Sequence, residues 1–242
     1  MCPMADEPSL PAIPQLWRQV PHGRVLVFAP HPDDEVAGPG GVLAMHTSQG
    51  DPVLVVVTTD GTAGDPDHRH DPAAFVATRR AESRAGLALL GVHDVQFWGF
   101  PDGHVLSAID LEHATQRAAA AIRAFRPDLV YLPWEHDGHA DHHALHLVVT
   151  RALDCEPFAG LALGYEVWNA MVPDVVVDTT AVFPRKLAAM RAHASQIAYT
   201  RYDHCLGGLA AYRSLQHLRG QGYGEAFRRV RGMLPAELAE PL

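Results

Sequence analysis

Two short stretches carry residue types that do chemistry in combination. The first is Pro30-His31-Pro32-Asp33-Asp34-Glu35 and the second is Asp137-Gly138-His139-Ala140-Asp141-His142. His31 and Asp34 stand three apart, close enough to bind one cation, and His142 would complete a His–Asp–His set. Two imidazoles and one carboxylate are a common zinc shell that leaves a position for water. Asp33, adjacent to Asp34, could face that position and take the water's proton. The i, i+3 spacing of His139 and His142 brings both rings to one side of an opening helical turn. One suits a metal ligand and the other a partner for a developing oxyanion, oriented by Asp141 or Asp137. The bland alternative for His31–Glu35 is a solvated helix N-cap. Against it, the chain holds 16 His, and five fall between His136 and His146. Of these, His136, His143 and His146 read as bystanders.

These motifs need elements to position them. Val25–Ala29 and Val53–Thr58 are short β-rich runs read as buried strands, and Val95–Trp98 and Leu129–Leu132 read as a third and a fourth strand. Helical patterns follow at Glu35–Ser48, Ala73–Leu90, Leu111–Phe125 and Asp141–Leu153. Such alternation implies βαβ units and a mainly parallel sheet flanked by helices, a single α/β domain. Beyond it, Leu163–Trp168 and Val175–Val177 read as strands, and Pro184–Ile197 and Leu209–Leu218 as helices. Residues 1–22, with Pro3, Pro8, Pro11, Pro14 and Pro21, read as an extended arm or a segment that wraps its own domain, before a domain over 23–242. In an open α/β sheet, ligands bind beyond the carboxyl ends of the strands, where both motifs lie.

Composition excludes several classes. The net charge of −9, from 19 Lys plus Arg against 28 Asp plus Glu, argues against nucleic-acid binding. No run approaches the roughly 18 apolar residues of a membrane span, and no signal peptide is visible. Three distant cysteines, Cys2, Cys155 and Cys205, make neither a disulfide framework nor a zinc finger, and fit a reducing cytoplasm. The glycines of Gly38-Pro39-Gly40-Gly41 lack dinucleotide-loop spacing, and no nucleophile-elbow or catalytic-Cys signature occurs.

Together these residues resemble the LmbE/PIG-L family of zinc-dependent N-deacetylases. The resemblance runs from His31–Glu35 with Gly40-Gly41 through Thr59-Asp60-Gly61, Arg79-x-x-Glu82 and Pro101-Asp102-Gly103 to the His139–His142 motif. It continues through Tyr165–Trp168, Lys186, Ser195-Gln196 and Tyr223-x-Glu225-Ala226-Phe227, covering about residues 24–228. It implies a Rossmann-like fold and removal of an N-acetyl group from a GlcNAc-type amino sugar. By the same resemblance His31, Asp34 and His142 would hold one zinc per chain. Asp33 would be the general base, with His139 the oxyanion partner and acid toward the leaving amine. Asp141 belongs with this catalytic set, and Arg79 and Asp102 would hold sugar hydroxyls. Some members carry a Tyr where this chain has Asp137; His204 and His217 are candidate substitutes. The family also supplies an expectation of a homo-oligomer, trimer or hexamer, with Leu10, Ile13, Leu16 and Trp17 of the arm as the surface to be covered. Two competing readings are an amidase for another amide, such as a thiol conjugate or an acylated antibiotic sugar, and a metal- or sugar-binding protein without catalysis.

Overall fold

The computed structural model describes residues 13–103 and 108–240. Its eight strands are β1 (Gln15–Trp17), β2 (Val25–Ala29), β3 (Val53–Thr59), β4 (Asp94–Phe100), β5 (Leu129–Pro133), β6 (Leu161–Tyr165), β7 (Val175–Asp178) and β8 (Gly224–Arg231). They form one sheet in the order β1-β7-β8-β6-β5-β2-β3-β4. Among the described residues, only β8 runs against its neighbours, pairing antiparallel with both β6 and β7.

Period-two alternation sends successive side chains of one strand to opposite layers. Val25, Val27 and Ala29 of β2 face one hydrophobic cluster with Val42, Leu43, Leu87 and Leu90. Leu26 and Phe28 face the other, with Ala118, Ile122, Val149 and Leu153. The helices are α1 (Asp34–Ala37), α2 (Gly40–Ser48), α3 (Pro72–Leu89), α4 (Ala108–Phe125), α5 (Ala140–Cys155), α6 (Phe183–Arg191), α7 (Ala194–Ile197) and α8 (Tyr202–Arg213). Among the described residues, no helix is long and apolar enough to cross a membrane.

Several expectations change in detail. The helix over 35–48 is broken into α1 and α2, because Pro39 has no N–H and ends the first turn. The groups freed at the break are satisfied from outside. Lys186 Nζ donates to the Gly38 carbonyl at 2.8 Å, and the Glu225 carboxylate accepts from Gly41 N at 2.5 Å and Val42 N at 2.9 Å. Gly38 is dictated by packing, since a Cβ there would lie 2.2 Å from the Tyr165 ring. The helix over 184–197 likewise divides at His193 into α6 and α7, and the last helix is Tyr202–Arg213 rather than Leu209–Leu218.

The described part of the arm, from residue 13, joins the sheet. Its residues 15–17 pair parallel with β7, and Trp17 is wholly buried in the core. Leu16 is buried with it, so of the described arm residues Ile13, Leu16 and Trp17 only Ile13 stays exposed. Leu10 lies outside the described residues. The edge strand thus buries two of the three described residues assigned to a partner subunit.

Candidate active site

The strand order reverses at β2. The chain proceeds β2 to β3 to β4 on one side, then crosses to place β5 on the other. Such a switch point opens a crevice beyond the carboxyl ends of the two strands. His31–Glu35 follows β2 there and His139–His142 follows β5, so the topology brings two distant motifs face to face.

Asp34 is at the centre. Its Oδ2 lies 2.9 Å from His31 Nδ1 and 3.1 Å from His142 Nε2. On the opposite edge of His31, Nε2 lies 3.1 Å from both Asp102 Oδ1 and Asp141 Oδ2. Those two carboxylates are anchored in turn by backbone N–H donors, Ala63 N to Asp102 at 3.0 Å and Gly103 N to Asp141 at 2.9 Å. His142 is backed by Asp137, whose Oδ2 is 3.3 Å from Nδ1. At these ion-pair distances, neither ring nitrogen of His142 makes a directed hydrogen bond.

The solvated N-cap alternative does not hold. Asp33 precedes α1 but its carboxylate caps no amide. It pairs instead with Arg79 Nη2 at 2.8 Å, while its N–H donates to Glu35 Oε2 at 2.9 Å. Glu35 is fully buried and accepts from Ser83 Oγ at 2.5 Å; burial and the neighbouring Asp33 push its carboxyl up to about 8. His139 caps α5, its Nδ1 accepting from Asp141 N at 3.2 Å.

Electrostatics at this cluster favour positive charge. Burial opposes charging His142, but Asp34 and Asp137 outweigh it and lift the imidazole to about 9. Burial opposes His31 too, and hydrogen bonds to Asp102, Asp141 and Asp34 carry it well above its ordinary value. His139 goes the other way, lowered by burial and by the neighbouring His31 and His142 rings. A buried carboxylate between two imidazoles, with His142 lacking directed partners, fits a divalent cation. Among the described residues, the ligand atoms of His31–His139–His142 and of His31–Asp102–Asp141 lie within 4.8 Å of one another, and both sets share His31 but not Asp34.

The cluster forms one end of a cavity of about 220 Å³, lined also by Asp33, Arg79, Asp102, Trp168, His193 and Tyr202. Arg79 and Asp102 border it, yet both are spent inward. Arg79 is 2% exposed and donates to the Gly61 and Pro32 carbonyls as well as to Asp33. Asp137 is buried, accepts from Val167 N and Trp168 N at 3.0 and 3.1 Å, and is not among the residues that line the cavity. His204 and His217 do not line the cavity. Sequence reasoning passed over Trp168, Tyr202 and His193 as site residues, since neither exposure nor a cavity wall has a local pattern.

Residues 26–153 match the family described as PIG-L, GlcNAc-PI de-N-acetylase. The chain belongs to the PIG-L family. The 1D-myo-inositol 2-acetamido-2-deoxy-alpha-D-glucopyranoside deacetylase of Kineococcus radiotolerans is 29% identical over 72% of this chain and 69% of that protein. The probable N-acetyl-alpha-D-glucosaminyl L-malate deacetylase 2 of Bacillus cereus is 31% identical over 71% of this chain and 83% of that protein. The N,N'-diacetylchitobiose deacetylase of Pyrococcus horikoshii, solved with its inhibitor MPG, has a TM-score of 0.73 at 26% identity. That match covers 86% of this chain and 83% of the other. All three of these relatives are named as deacetylases.

Proposed function

We propose that this PIG-L chain is a zinc-dependent hydrolase that removes the N-acetyl group from a GlcNAc-type amino sugar or glycoside. The observation that carries the reading is Asp34 Oδ2 within 3.1 Å of two imidazoles, with Asp33 beside it on an open cavity. His31, Asp34 and His142 would hold one zinc. Asp102 and Asp141 lie on the far edge of His31 and are engaged by backbone amides, as orienting partners of a ligand are. When bound, zinc supplies a Lewis acid for the amide carbonyl and acidifies water.

The chain's own residues do the rest. Water attacks the acetyl carbon and Asp33 takes its proton, held in direction by Arg79. Because Nδ1 of His139 accepts from Asp141 N, its ring proton resides on Nε2, where it donates to the developing oxyanion. In this reading Asp33 also returns the proton to the amine nitrogen, in place of the His139 acid role that the resemblance implied. The C–N bond then breaks, giving acetate and the free amine. The test is release of acetate and amine over a panel of N-acetylated mono- and disaccharides. Product from none of them, with zinc bound, would sink the reading in favour of another amide or a non-catalytic role.

A cytoplasmic homo-oligomer, trimer or hexamer, remains part of the proposal on family resemblance. Light scattering tests it, and a mass near 26.3 kDa would contradict it.

A further inference from the structure

The cavity wall beside the acidic cluster carries a different chemistry. Trp168 is 50% exposed, unusual for the largest side chain, and lines the cavity with Tyr202, Ile197 and Met190. Its indole lies near-parallel to the His139 ring, centroids 6.0 Å apart at 29°, and edge-on to Tyr202 at 6.0 Å and 88°. It is not a loose surface residue, because Asp137 fixes its backbone N–H and that of Val167. An aromatic face held rigid beside the reacting centre is a surface for the apolar C–H face of a ring.

Charge narrows the choice further. Arg79 is the sole Lys or Arg among the described lining residues, and both of its Nη groups are taken by Gly61, Pro32 and Asp33. Its Nε is buried. The same lining includes the carboxylates Asp33, Asp34 and Asp102, in a chain of net charge −9. Among the described lining residues, a substrate carboxylate entering here finds no available guanidinium to pair with, and burying an unpaired charge is costly.

We propose that the cavity selects an uncharged glycoside whose aglycone is itself a ring, stacked on Trp168, over a glycoside with a carboxylate-bearing aglycone. This rests on the de-N-acetylase reading and refines it by naming the substrate class and a specificity-determining residue.

Two measurements keep the two levels distinguishable. Equilibrium binding to the zinc-loaded Asp33→Asn protein is measured by calorimetry for N,N'-diacetylchitobiose, N-acetylglucosaminyl inositol, N-acetylglucosaminyl malate and the methyl glycoside of N-acetylglucosamine. Acetate release from the same four is followed with the unmodified protein. Both neutral two-ring ligands should bind at least tenfold more tightly than the malate conjugate at low ionic strength. Adding Trp168→Ala should weaken the two-ring ligands at least fivefold more than the methyl glycoside, and Trp168→Phe should recover most of that difference. In turnover the change should fall on KM rather than kcat. Equal or tighter binding of the malate conjugate, or an equal loss for all four ligands with Trp168→Ala, would overturn the proposal. Absence of acetate from every substrate would overturn the de-N-acetylase reading instead, while the binding preference still judges the subsite.

Discussion

Asp137 stands directly behind His142, its Oδ2 3.3 Å from Nδ1, while the same carboxylate holds the backbone of Val167 and Trp168. One buried side chain thereby ties a metal-ligand candidate to the aromatic wall of the cavity. Asp137→Ala should weaken zinc affinity about 10–100-fold, the usual cost of losing such a partner, and also weaken binding of two-ring sugars. Competition with a chromogenic chelator measures the first effect and calorimetry the second.

Metal analysis separates the candidate ligands from their supports. Purified protein should hold about one zinc per chain. His142→Ala and Asp34→Ala should lose it, whereas Asp102→Asn should keep near-full occupancy at micromolar zinc with reduced affinity. Full occupancy in the first two variants, or complete loss in the third, would move the ligand set to the other edge of His31.

Asp33→Asn should retain zinc and fold yet lose most deacetylation, because only the base is removed. His139→Ala should cost roughly two to three orders of magnitude in kcat, the scale of an oxyanion donor. Near wild-type turnover at saturating zinc and substrate in either variant would remove that residue from the mechanism.

The Lys186–Glu225 pair is buried at 2.7 Å and links α6 and β8 to the break between α1 and α2. Removing one partner leaves an uncompensated buried charge, so Lys186→Met should cost roughly 3–5 kcal/mol by denaturant unfolding. Trp17→Ala should cost a similar ~3–5 kcal/mol, since β1 belongs to the core. A loss below 1 kcal/mol for Trp17→Ala would return the segment to the status of a detachable arm.

His46 supplies a pH dependence away from the site. Burial lowers its pKa, although its Nδ1 lies 2.7 Å from Asp51; its Nε2 faces the Tyr131 hydroxyl at 3.0 Å, and exposed His22 adds to the lowering. The folded chain thus favours neutral His46, and the unfolded chain binds its proton more readily. This contribution is complete above about pH 6.5 and fades as the pH falls through and below that value. The drop in melting temperature between pH 7.5 and 5.5 should be smaller in His46→Gln than in the unmodified protein; an equal drop would contradict the assignment.

The two motifs were legible because chemistry-bearing residues follow strands whose apolar runs are continuous, as Val25–Ala29 and Leu129–Pro133 are. What escaped did so for physical reasons. β8 reads GEAFRRVR, and its burial ends after Phe227, so neither a buried run nor a clean alternation marks it. β1 is three residues long among prolines and gains strand geometry only from β7. The strand expected over 163–168 ends at Tyr165, because Glu166 leaves the sheet for a buried pair with Arg213. Arg79, which the resemblance assigns to sugar hydroxyls, faces inward toward Asp33, and only the fold reveals it.

Acetate release as a function of bound zinc tests the central claim most directly. Protein stripped with a chelator and titrated with zinc should deacetylate N,N'-diacetylchitobiose or N-acetylglucosaminyl inositol in proportion to occupancy, with activity reaching its plateau at one equivalent. Undiminished activity in the stripped protein, or no acetate from either substrate at full occupancy, would contradict the account.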